Sequence, residues 1–207
     1  MERVAETKKN ERLVLGISGA SGVAYGIRLL DALRELGIES HLVMTRAAEM
    51  TIGLETRLKP KAVAAKADYS YAIGDVGAAI ASGTFRTGGM IVAPCSVRSW
   101  SEIATGVTTN LLTRAADVTL KERRPLVLMV RETPLHVGHL RSLAQLAEMG
   151  AIILPPLPAF YSEPRKLEDF VDQITGRALD LLGYDWPGQK RWGEDGATGR
   201  RKRRAKD

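Results

Sequence analysis

The fold class that this sequence predicts is a doubly wound parallel β-sheet in a three-layer α/β/α arrangement. Three observations carry that expectation. Short apolar runs alternate along the chain with longer segments of helical periodicity. Those runs are continuously apolar, the pattern of strands buried on both faces by crossover helices. The first of them ends in a glycine-rich turn that leads directly into a helix.

Taken in order, residues 13–17 form the first strand, followed by the turn Gly16-Ile17-Ser18-Gly19-Ala20-Ser21-Gly22. A helix follows with Ile27, Leu30, Leu33 and Leu36 on one face, and Gly37 stops it. Residues 40–45 read as a second strand and 46–55 as a second helix. Between 56 and 89 no regular element is legible, and the Ala- and Gly-rich composition suggests a lid or surface loop. Residues 90–93 are a buried strand leading into Pro94-Cys95-Ser96. A helix over 110–123 turns Leu111, Leu112, Ala115 and Val118 inward. Strands at 126–130 and 151–154 flank a helix around 140–149, and 167–182 is the last regular helix. The domain plan is a disordered segment 1–11, a folded body 12–183, an extension 184–195 and a basic disordered tail 196–207.

Hydrophobic residues make up 44% and charged residues 26%, enough for a core without staples. Cys95 is the only cysteine, so no internal disulfide forms and a reducing compartment is expected. The first eleven residues are charged throughout, unlike a signal peptide, and no apolar stretch approaches the ~20 residues that span a bilayer. A cytoplasmic, membrane-free protein is the expectation. The net charge of +6 invites a nucleic-acid reading, but residues 196–207 hold six basic and one acidic residue, a net of +5, which leaves only +1 for the rest. Basicity is a property of the tail, so no nucleic-acid partner is expected.

Strand, glycine turn and helix together present backbone N–H groups and a helix N-terminus to a phosphate, with Ser18 and Ser21 as added hydroxyl donors. The spacing is G-x-x-G-x-x-G, not the dinucleotide G-x-G-x-x-G. The second strand ends in Thr45-Arg46, where a dinucleotide site would hold an acidic residue for the ribose. A mononucleotide fits better, and FMN is the candidate.

Several separated segments then carry a resemblance: G-I-S-G-A-S-G at 16–22, Glu55-Thr56, A-S-G-T-F at 81–85, P-C-S at 94–96, and N-L-L-T-R-A-A-D-V-T-L-K-E-R-R-P-L at 110–126. R-E-T-P at 131–134, P-A-F-Y at 158–161, Arg177 and R-W-G-E at 191–194 complete it. In that order the segments resemble the UbiX-type flavin prenyltransferases. The resemblance implies a flavodoxin-like fold, large homo-oligomers that are usually dodecamers, and no metal. It also implies transfer of dimethylallyl from its monophosphate to N5 and C6 of reduced FMN. The product would serve UbiD-type decarboxylases, in ubiquinone biosynthesis or another pathway.

Such chemistry needs cations for the departing phosphate, an aromatic wall for the allyl cation, and carboxylates for the protons. The resemblance places Lys121, Arg131, Arg177, Ser82 and Tyr161 at the substrate phosphate and Trp192 over the prenyl group, either from the same chain or from a neighbouring subunit. Glu132, Glu55 and Ser21 stand at the reaction centre. Gly19, Ala20, Ser21, Thr45, Ser96, Arg114 and Arg131 are expected around FMN, and all these side chains should converge beside the first glycine loop. Arg114 and Lys121, seven residues apart, share one face of their helix. Arg123 and Arg124 are read as charges that favour a helix C-terminus. His136 and His139 read as helix-start residues, because nothing at metal spacing completes a site with them. Glu168-Asp169-Phe170-Val171-Asp172 resembles a magnesium-binding box of diphosphate prenyltransferases, but it occurs once, at a helix start that favours acidic residues. The alternatives are a flavin-dependent decarboxylase of the same fold, which would carry a histidine that is missing between His41 and His136, and an FMN-carrier subunit.

Overall fold

A computed structural model of the chain describes residues 12–193. The segments expected to be disordered, 1–11 and 196–207, lie outside the described residues. Strands β1 (Arg12–Ile17), β2 (Glu39–Met44), β3 (Tyr69–Tyr71), β4 (Met90–Cys95), β5 (Leu126–Val130) and β6 (Ile152–Ile153) form one sheet. Every pairing is parallel and the order is β3-β2-β1-β4-β5-β6. The predicted doubly wound sheet is therefore present, and the order reverses between β1 and β4.

Alternate residues of each strand enter opposite cores, as the two-residue period of a strand requires. Leu13, Leu15, Ile17, Ile91, Ala93, Val127 and Met129 pack on one side, under α1 (Val23–Glu35), α2 (Arg46–Glu55), α3 (Pro60–Ala64) and α7 (Leu167–Leu181). Val14, Met90, Val92, Cys95, Leu126, Leu128 and Val130 pack on the other, under α4 (Val97–Thr105), α5 (Leu111–Lys121) and α6 (Val137–Glu148). Continuous apolar strands are what such a two-sided core demands.

The buried stripe of α1 runs through Leu29, Leu30, Ala32 and Leu33, while Ile27 and Leu36 are only half-buried. The rotation from the expected face follows from contact with both the sheet and α7. Gly26 faces the sheet, where a Cβ would lie 2.4 Å from the Ala93 carbonyl oxygen, so only glycine lets the helix approach this closely. Helix α4 is an element that the sequence reading left unassigned. Its signals are present: Ser96 caps its first turn, Trp100, Ile103 and Ala104 are buried, and Gly106 at φ 69° ends it. The segment 56–89 holds α3, the edge strand β3 and a 3₁₀ turn at Ala79–Ala81. Two of the three residues of β3 are exposed, which explains why no apolar period betrayed it.

The extension beyond residue 183 begins inside the core. Tyr184 and Trp186 are buried with α1 and α7. Trp186 donates its indole N–H to Glu35 at 2.7 Å and lies beneath the Arg28 guanidinium, 4.7 Å from the ring centre. Arg28 also pairs with Asp172 on α7. Replacing Trp186 with alanine is expected to cost about 3–5 kcal/mol, seen as a shift of the denaturant midpoint. A change below ~1 kcal/mol would mean that the extension is merely draped on the surface. Among the described residues no helix is long and apolar enough to cross a membrane.

Candidate active site

Ligands of doubly wound sheets bind at the carboxyl ends of the strands where the order reverses. Here the ends of β1 and β4 open onto a cavity of about 610 Å³. Four helix N-termini meet around it. Gly19, Ala20 and Ser21 precede α1, Thr45, Arg46 and Ala47 start α2, Ser96 to Ser99 start α4, and Thr109 and Asn110 precede α5. Three of the four caps are satisfied locally: Thr45 accepts from the Ala48 amide at 3.0 Å, Ser96 from Ser99, and Asn110 from Leu112 and Thr113. Each terminus contributes about half a positive charge. Arg46, Arg98 and Arg131 line the same space. An anionic mononucleotide fits this surface on charge, amide supply and size.

Two carboxylates also face the cavity. Glu132 follows Arg131 at the end of β5 and accepts from the Thr133 amide at 2.9 Å, which fixes its direction. Glu102 accepts from Arg98 and Thr109 at 2.8 and 2.7 Å. Burial pushes its carboxyl up, but those hydrogen bonds outweigh burial and hold it below the usual carboxylate range. Glu55, at the end of α2, accepts from the Gly22 and Val23 amides at 2.9 and 3.2 Å. It caps α1 from outside, because Gly22 sits at φ 102°, a conformation that L side chains rarely adopt, and has no side chain for the task. Glu55 is thus held beside Ser21. Ser18 departs from expectation: it is fully buried, donates to the Pro94 carbonyl at 2.9 Å and accepts from the Ser96 amide at 2.7 Å. It staples the β1 turn to the β4 turn and offers no donor to a ligand.

The remaining expected residues lie elsewhere on the chain, so convergence beside the first glycine loop does not occur within one copy. The 11 residues of α5, rising about 1.5 Å each, carry Lys121 roughly 16 Å from Asn110 at the cavity. A second group forms there. Arg114 donates to the Ala81 carbonyl and pairs with Asp117, away from the lining of the first cavity, while Lys121 pairs with Glu122. The shared face of Arg114 and Lys121 looks onto the 81–85 loop, where the Ser82 and Thr84 hydroxyls meet at 2.9 Å. Arg124, read from sequence as a helix-end charge, instead donates to the Gly83 and Phe85 carbonyls at 2.6 and 2.7 Å.

The third group surrounds another cavity, of about 400 Å³, lined by Tyr161, Arg177 and Trp192 among others. The Tyr161 and Trp192 rings meet edge to face at 5.1 Å, and Gln173 donates to the Tyr161 hydroxyl at 3.3 Å. Sequence reasoning missed the stitching that presents Trp192. Arg191 forks onto both Asp180 oxygens at 2.7 Å, and Lys190 donates to the Ser162 carbonyl. Burial raises the Asp180 carboxyl, but the hydrogen bonds from Arg191 and Gln189 prevail and lower it. The histidines behave as read: His136 Nδ1 accepts from the Gly138 and His139 amides and starts α6. Asp169 likewise accepts from the Arg165 and Lys166 amides at the start of α7, which accounts for the acidic run there. No group of three or more potential metal ligands occurs among the described residues.

The Flavoprotein family model matches residues 1–179. Flavin prenyltransferase UbiX of Escherichia coli K12 is 53% identical over 178 residues, covering 86% of this chain and 94% of that protein. The chain belongs to the UbiX-type flavin prenyltransferases. UbiX of Thauera aromatica is 52% identical over 181 residues, covering 87% of this chain and 93% of that one. The crystal structure of AnUbiX (PadA1) in complex with FMN and dimethylallyl pyrophosphate superposes at a TM-score of 0.86, with 48% identity over 87% of this chain and 96% of that one. A dodecameric FMN-dependent UbiX-like decarboxylase from Escherichia coli O157:H7 gives the same TM-score at 46% identity, covering 87% and 98%.

Proposed function

We propose that this chain transfers a dimethylallyl group from dimethylallyl monophosphate to N5 and C6 of reduced FMN. The observation that carries the reading is the cavity at the switch point, ringed by four helix N-termini and arginines and furnished with a fixed carboxylate. A 48%-identical protein has been crystallised with FMN and dimethylallyl pyrophosphate, which supports a flavin and a dimethylallyl donor as the ligand classes here.

Gly19, Ala20, Ser21, Thr45, Ser96 and Arg131 hold the mononucleotide. Reduced FMN supplies the nucleophilic nitrogen and carbon. Glu132, with Ser21 and the Glu55 fixed beside it, accepts and relays the protons displaced at those atoms. Lys121, Ser82, Arg177 and Tyr161 receive inorganic phosphate as the allylic C–O bond breaks, and Trp192 walls off the carbocation from water. Three groups separated on one chain can serve one reaction if copies of the chain join them. A homo-oligomer, of which the dodecameric relative is an example, is therefore part of the proposal. Arg114, held at Ala81, would then reach FMN bound to a neighbouring copy. The prenylated flavin would pass to a UbiD-type decarboxylase.

Mixing reduced FMN, dimethylallyl monophosphate and the protein anaerobically tests this directly. A new flavin absorbance with release of one phosphate per flavin is expected. Tight FMN binding with no spectral change would replace the transferase by a carrier subunit.

A further inference from the structure

The 81–85 loop carries an alternation that the sequence does not announce. The carbonyls of Ala81, Gly83 and Phe85 each accept from an α5-side arginine: Ala81 from Arg114, and Gly83 and Phe85 from the two terminal nitrogens of Arg124. The residues between them, Ser82 and Thr84, are exposed, and their hydroxyls lie 2.9 Å apart. Ser82 has extended backbone, φ −108° and ψ 133°, and the chain then turns, the Phe85 amide donating to the Ser82 carbonyl at 3.3 Å. This leaves the Gly83 and Phe85 carbonyls to Arg124 and the two hydroxyls side by side. Lys121 reaches the same loop: a methyl built on Gly83 would stand 2.8 Å from its ammonium nitrogen. The Phe85 ring is seated separately, beneath the Arg12 guanidinium and edge-on to His41.

We propose that Arg124 is a positioning residue for the substrate phosphate: its fork on two alternate carbonyls holds Ser82 and Thr84 as a hydroxyl pair beside Lys121. The inference rests on the reading of Ser82 and Lys121 as phosphate ligands and adds Thr84 and Arg124 to that group. Arg124 touches no substrate. A planar guanidinium spans two acceptors at once, whereas an ammonium is a point charge. The competing explanation is that a cation at the end of α5 simply favours the helix dipole, and lysine would serve that purpose equally well.

The discriminating experiment compares Arg124→Lys, Arg124→Gln and Arg123→Ala in the full-length protein. Binding of inorganic phosphate by titration calorimetry, KM for dimethylallyl monophosphate, FMN affinity and thermal midpoint are measured for each. Loss of a forked, charged hydrogen bond corresponds to roughly tenfold or more. Arg124→Lys is therefore expected to weaken phosphate binding and raise KM by about tenfold, with FMN affinity unchanged. Arg123→Ala, which removes a charge from the same helix end, should match the wild type in both. Wild-type phosphate binding and KM in Arg124→Lys would overturn the proposal, and so would an equal loss in Arg123→Ala. If Arg124→Lys does not fold, Arg124→Gln, which spans one carbonyl at most, is read by the same criteria. A wild-type protein that forms no prenylated flavin would sink the proposed activity alone, and phosphate titration of the variants would still decide the role of Arg124.

Discussion

Glu132→Gln should bind FMN as the wild type does yet form prenylated flavin about 10²- to 10⁴-fold more slowly, the range lost with a general acid–base group. Glutamine keeps the shape, and its amide oxygen still accepts from the Thr133 amide that orients the side chain. What it loses is the capacity to hold a proton. Glu132 sits in the cavity next to Arg131, so removing its charge leaves the cavity more positive and does not weaken anion binding. Anaerobic single-turnover absorbance at saturating FMN measures the effect. Unaltered turnover would refute the role assigned to Glu132 and leave Glu55 and Ser21 to manage the protons.

Lys121→Ala is expected to lower turnover by about 10²–10³-fold, the loss that follows removal of one group aimed at developing charge. In the proposed reaction phosphate leaves as a dianion, and the Lys121 ammonium, which stands at the 81–85 loop, is the proposed counter-charge. Stability should hardly change, because the pair that Lys121 makes with Glu122 is solvent-exposed and screened by water. The useful contrast is therefore a large kinetic loss beside an unmoved melting curve. Equal turnover in wild type and variant would move the phosphate site to Arg131 and Arg177.

What the sequence made legible, and what it hid, divides along physical lines. Helix α2 and strand β5 fall where the pattern put them, because Thr45 is a capping residue at the helix start and the strand is apolar from end to end. Helix α4 was legible as well, since Trp100, Ile103 and Ala104 recur at helical spacing between Ser96 and Gly106, but it is only nine residues long and went unassigned. The glycine turn announced the cavity, but a serine in such a turn reads alike whether it binds a ligand or staples two strands, and Ser18 is the staple. Arg123 and Arg124 are neighbours in sequence, yet only the fold shows that Arg124 spans two loop carbonyls. Distances between elements leave no mark in a linear pattern, so the division of the expected residues into three groups was not legible either.

The anchoring of Trp186 has an evolutionary corollary. Trp192 is delivered by a stretch of five residues that starts from a side chain sunk in the core. An insertion or deletion within that stretch would re-aim the Trp192 ring while the sheet and the cavity at the β1/β4 switch stay as they are. If Trp192 covers the prenyl group as proposed, chain length between the two tryptophans would offer natural variation a dial for the size of the alkyl donor.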